Sequence, residues 1–87
     1  FDDRAGCAVL IKALEEIDFS NVYGNVYGIF SVQEEVGLRG ARTAAQNIQA
    51  DLALAVDTTA VSDTFEGMMD QTLSLGKGPA IKVLDFS

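Results

Sequence analysis

The sequence predicts an α/β fold: part of a mostly parallel sheet with flanking helices. Three observations lead there. Stretches of helical and strand-like composition alternate along the chain, the pattern of βαβ units. One apolar run, 52–56 (LALAV), is continuous rather than alternating, as in a strand buried on both faces. Acidic residues gather at segment ends: Asp2 and Asp3 at the front, Glu34 and Glu35 in the middle, and Asp57 after a further apolar run. In open α/β sheets, ligands bind beyond the carboxyl ends of the strands.

Residues 5–17 (AGCAVLIKALEEI) predict a helix. The segment is rich in Ala and Leu, lacks Pro, and carries its charges late, at Lys12, Glu15 and Glu16. Ala8, Val9, Ile11, Ala13 and Leu14 leave few polar faces, so burial of most of the helix is expected. Asp2 or Asp3 lies where an N-cap would be. Residues 18–25 form a turn region in which Asn-Val-Tyr-Gly begins at Asn21 and again at Asn25, too short an echo for a repeat architecture. Residues 26–32 (VYGIFSV) are β-branched and aromatic, hence a strand. A loop at 37–40 leads into a second helix at 41–48, followed by the buried strand at 52–56. The polar stretch 58–79, with Gly67, Gly76, Gly78 and the lone Pro79, has no element assigned, and 81–84 is a last short strand. If the strands are parallel neighbours, Glu34, Glu35 and Asp57 share one rim of the sheet. Asp2 and Asp3, opening a helix, join them from the end of a strand upstream of Phe1.

Composition narrows the function classes. The chain has 87 residues, 48% hydrophobic and 22% charged, with a net charge of −7. That is globular composition. The acidic balance and six scattered basic residues disfavour nucleic acid, which needs a Lys/Arg stripe. No apolar run approaches the ~20 residues of a membrane span, and no signal peptide is legible. The single Cys7 fits a reducing, cytoplasmic setting and reads as a small core residue. Without histidine, neither an activated cysteine nor a serine triad can be built. The run Gly76-Lys77-Gly78-Pro79 lacks phosphate-loop spacing.

The carboxylates carry the remaining signal. Two like charges at ~4 Å repel by about 4 kcal/mol at an effective dielectric of 20, and divalent metals relieve such repulsion. In a two-metal site a bridging carboxylate is a natural ligand. Just past a strand end, neighbouring side chains diverge, so one of Glu34 and Glu35 can bind metal while the other acts as general base. Taken singly, Asp2-Asp3 reads as a helix cap, Glu34-Glu35 as an exposed turn and Asp57 as a turn residue. Their shared position at segment ends favours a metal site with part of its ligand set outside the chain.

Four motifs resemble the glutamyl aminopeptidase and tetrahedral aminopeptidase family of dinuclear metallopeptidases, some of whose members have been labelled cellulases or endoglucanases. They are Asp2-Asp3-Arg4-Ala5-Gly6, the run 32–41 (VQEEVGLRGA), the run 55–59 (AVDTT) and the run 75–83 (LGKGPAIKV). The resemblance spans nearly the whole chain, and the run QEEVGLRGA is its most specific part. It implies a phosphorylase/hydrolase-like α/β catalytic domain carrying two divalent metal ions, zinc or cobalt, and an inserted second domain. By position, Asp2 resembles the carboxylate bridging the metals, with Asp3 its catalytic neighbour across a cis peptide. Glu34 resembles the general base, and Glu35 and Asp57 resemble ligands to one metal each. Two histidine ligands of the family have no counterpart here. Residues 1–87 therefore read as an internal segment of a catalytic domain, expected to be inactive alone. The upstream segment, the inserted domain and the downstream histidine segment lie outside it. The implied activity is removal of N-terminal residues from peptides by a cytoplasmic homo-oligomer. The competing readings are a non-catalytic α/β interaction piece and, ranked last, a carboxylate-pair glycosidase.

Overall fold

Helix α1, Arg4–Glu16, begins where Asp3 caps it: the Asp3 carboxylate accepts from the Gly6 amide at 2.9 Å. This satisfies one of the amide donors that a helix start leaves without an intrahelical partner. The helix ends at Ile17, whose backbone turns extended (φ −66°, ψ 127°) while its N–H still reaches the Ala13 carbonyl at 3.1 Å. The structure is a computed structural model describing residues 1–62 and 73–83. Two units divide the chain, Phe1–Asp57 and Thr58–Ser87.

In the first unit, Leu10, Leu14 and Ile17 are the half-buried apolar positions of α1 and its end. Their i, i+4, i+7 spacing makes one stripe. The returning chain lies on that stripe at Gly28. A Cβ there would sit 2.7 Å from Leu14 Cδ1 and 3.8 Å from Leu10 Cδ2. On the outer face Lys12 pairs with Glu16 at 3.3 Å. Both side chains are two-thirds exposed, so the pair contributes little.

The connection after α1 is a single 3₁₀ turn, Phe19–Asn21, organised by Asp18. The Asp18 carboxylate accepts from the Ser20 hydroxyl (2.6 Å), the Ser20 amide (3.0 Å) and the Asn21 side-chain amide (2.7 Å). These bonds, the Ser20 hydroxyl foremost, hold its pKa below the ordinary 3.8. A lowered folded-state pKa means that the unfolded chain takes up its proton first as pH falls. The contribution is therefore present above 3.8 and is lost as pH drops through the lower folded value. Asp18→Ala is expected to lower the urea midpoint at neutral pH and to converge with the parent protein well below 3.8. An equal gap at both pH values would contradict it.

A second, shorter helix follows a tight loop. Helix α2, Arg39–Ala45, starts two residues earlier and stops three residues earlier than the 41–48 expected from sequence. Its start is set by Leu38 in the left-handed region (φ 57°) and by three consecutive carbonyls before it. Val32 O accepts from Gly40 N (3.0 Å), Gln33 O from Arg39 N (3.3 Å), and Glu34 O from both Gly37 N (3.1 Å) and Leu38 N (3.0 Å). The early helix donors are thus satisfied by the preceding chain instead of by a side-chain cap. Beyond Ala45 the Asn47 side-chain amide turns back to donate to Thr43 O at 3.2 Å, a local bond of the kind that competes with helix continuation. Gly40 has no room for a side chain, because a Cβ would stand 2.5 Å from both Val32 N and Val32 O. Those are backbone atoms that cannot rotate away. Gly40→Ala is expected to destabilise by about 1–3 kcal/mol, as overpacking does. An unchanged thermal midpoint would show that the loop opens without cost.

The expected parallel sheet is not found. Among the described residues the regular elements are α1, the 3₁₀ turn and α2, with no β-strand. Strand propensity measures how well a side chain suits a half-buried pleated surface. A strand itself exists only where a neighbouring backbone completes the ladder. Segments 26–32 and 52–56 have the composition without the neighbour, and Val32 gives its carbonyl to a helix start instead. Burial fails with pairing: Leu52 and Leu54 are 88% and 87% exposed where a strand buried on both faces was expected. Helix α1, expected to be largely buried, buries only Gly6, and Cys7, expected in the core, is exposed.

In the second unit, Ser62 is buried and tied to Leu73. Ser62 N donates to Leu73 O (2.9 Å), Ser62 Oγ donates to the same carbonyl (3.0 Å), and Leu73 N donates to Ser62 Oγ (3.2 Å). Ile81 and Val83, expected in the last strand, are 90% and 94% exposed. Leu84 and the middle of the polar stretch 58–79 lie outside the described residues. No helix among the described residues is long and apolar enough to cross a membrane.

Candidate metal centre

Three carboxylates converge although they come from opposite ends of the first unit. Asp2, Asp3 and Asp57 each present an oxygen, and the three oxygens lie within 4.8 Å of one another. Asp2 and Asp57 are exposed and Asp3 is half-buried. Asp3 is held from below by its cap bond to Gly6 N. Asp2 joins Asp3 through a cis peptide, the linkage that the family resemblance implied. Asp57 arrives at the end of the 52–56 segment. The position after an apolar run was the sequence signal for it, and the convergence occurs without the sheet rim on which it was expected.

Glu34 and Glu35 are not members of this group. Both are exposed, in the loop that leads to α2. That loop is strongly determined at its backbone. Gln33, immediately before the pair, has φ 57°, a left-handed conformation uncommon for a residue with a side chain. Gly37 closes the turn behind it at φ 112°, where glycine is the residue without a steric penalty. The two glutamates therefore occupy a turn whose carbonyls at Val32, Gln33 and Glu34 are all engaged.

The sequence profile of the M42 glutamyl aminopeptidase family matches residues 1–87. The chain belongs to that family. It is 50% identical over 86 residues to the "Putative aminopeptidase" of Acetivibrio thermocellus, covering 99% of this chain and 25% of that protein. It is 35% identical over 85 residues to the glutamyl aminopeptidase of Lactococcus lactis subsp. cremoris, with 98% and 23% covered. Identity to the lysyl aminopeptidase of Pyrococcus furiosus is 36% over 83 residues, with 94% and 23% covered. The chain thus spans about a quarter of the length of the curated relatives it matches. No solved structure matches it.

The donor set of this M42 segment is three carboxylates. Three converging carboxylates suit a divalent cation, whose charge removes their mutual repulsion. An all-oxygen set by itself favours hard cations, whereas zinc and cobalt prefer sites that include imidazole. The chain has no histidine. The trio fits as the carboxylate part of a mixed site and is not a full zinc site.

Proposed function

We propose that this chain is part of the catalytic domain of a metal-dependent aminopeptidase that removes N-terminal residues from peptides. The observation that carries the reading is the convergence of Asp57 on Asp2 and Asp3 in a chain of the M42 family. In this reading Asp2, Glu35 and Asp57 would hold divalent ions, zinc or cobalt, together with imidazole ligands from outside these residues. Bound there, divalent metal would supply acidification of water and polarisation of the scissile carbonyl. Glu34 takes the proton of the attacking water and delivers it to the leaving amine, as a general base that becomes a general acid. Asp3, anchored on Gly6 N, would keep Asp2 oriented and add negative charge beside it. The 87 residues alone, lacking imidazole, are expected to show no peptidase turnover.

Peptide substrates and a homo-oligomeric assembly follow from the same family reading. A cytoplasmic location agrees with the single, unpaired cysteine. The test uses the full-length protein: metal content by elemental analysis, with hydrolysis of aminoacyl anilides and of soluble cellulose measured in parallel. Bound metal with anilide turnover is the expected result. Turnover of cellulose alone, or anilide turnover that survives complete metal removal, would overturn the reading.

A further inference from the structure

We propose that Gly6 is a positioning residue for the carboxylate of Asp3, and through it for the Asp2–Asp3–Asp57 cluster. The inference rests on the metal-centre reading for its functional consequence and on independent geometry for the positioning itself. Gly6 is the one buried residue of α1, and the Asp3 side chain lies against it. A Cβ placed at position 6 would lie 2.6 Å from Asp3 Oδ1 and 2.7 Å from Asp3 Cγ, and closer still to Oδ2. All three nearest atoms belong to that one carboxylate. The missing side chain is thus the space that the carboxylate occupies while its Oδ1 accepts from the Gly6 amide at 2.9 Å.

Glycine is otherwise a poor choice here. In the first turn of a helix it costs backbone entropy that alanine would not. Its φ is not in the left-handed region, so no strained backbone demands it. The clearance supplies a reason for it: a side chain at position 6 would displace the Asp3 carboxylate from the helix start. Gly6 touches neither substrate nor metal in this scheme. It acts only through Asp3.

A double-mutant cycle in the full-length protein tests this. Four proteins are compared: the parent, Gly6→Ala, Asp3→Ala and the double variant. The first readout is the thermal midpoint of metal-free protein. Gly6→Ala is expected to lower it in the parent background and to raise it in the Asp3→Ala background, where the helix gains alanine without a clash. The second readout is affinity for cobalt(II) added alone. Gly6→Ala is expected to weaken it about 10-fold, the low end for loss of a supporting group because Gly6 acts through Asp3 on Asp2, and by less than about twofold once Asp3 is alanine.

Changes of equal sign and size in both backgrounds would overturn the proposal, as would an unaltered midpoint and affinity in Gly6→Ala. If Gly6→Ala does not fold, the double variant decides: its folding supports the clash with Asp3, and its failure to fold overturns it. A parent protein that binds no cobalt but keeps the sign reversal in thermal midpoint would overturn the metal reading and uphold the positioning role. Tight cobalt binding with an additive cycle would do the reverse.

Discussion

Replacing Glu34 with glutamine in the full-length protein is expected to lower kcat by about 10²–10⁴-fold, the usual contribution of a positioned proton-transfer group. KM should change little and the metal content should equal that of the parent protein. Glutamine keeps the size of the side chain, and the bonds that shape the turn run to the Glu34 backbone carbonyl, from Gly37 N and Leu38 N, so they survive the change. What is lost is a group that can hold a proton between water and amine. Kinetics on an aminoacyl anilide, combined with elemental analysis of the same preparation, gives both numbers. A Glu34→Gln protein depleted of metal would make Glu34 a ligand and exchange its role with that of Glu35. Full activity would reduce the pair to a solvated turn.

Loss of metal is the expected result of Glu35→Gln and of Asp57→Asn. A neutral amide is a weaker donor to a divalent cation than a carboxylate. Since loss of an outer supporting group already costs 10–100-fold in affinity, loss of a direct ligand should cost at least about 100-fold. The two variants test different arguments. Asp57 is assigned by geometry, from oxygens within 4.8 Å of those of Asp2 and Asp3. Glu35 is assigned by its place in the motif alone, since its side chain lies outside that group. Titration of metal into apoprotein separates them. Asp57→Asn with undiminished affinity would show that the three aspartates are an acidic patch and not a metal site. Undiminished affinity in Glu35→Gln alone would leave that site standing and remove one ligand from it.

Both experiments need the full-length chain, for the reason visible in the exposed apolar residues. Leu52, Leu54, Ile81 and Val83 are each more than four-fifths exposed. Long apolar side chains in that condition gain nothing from burial. The segment spans about a quarter of its relatives' length, and measurements on it alone would mix loss of function with loss of a core.

The local chemistry is legible from the residues alone. Helix α1 was legible because its composition, its late charges and an acidic N-cap are properties of adjacent residues, and they act over a single turn. The same holds for the acidic ends and for the QEEVGLRGA motif, which place the chain in its family whatever its fold. The absence of a sheet among the described residues is not legible in this way, because strand composition at 26–32 and 52–56 reports a preferred environment, while the ladder that makes a strand belongs to two segments at once. Which acids meet depends on how the chain packs in space. That packing brought Asp57 to Asp2 and Asp3 across the first unit and left Glu34 and Glu35 in their own turn. It also decided what Gly6 is for. Clearance between a missing Cβ and one carboxylate is a distance in space, and no property of the letters D-D-R-A-G contains it.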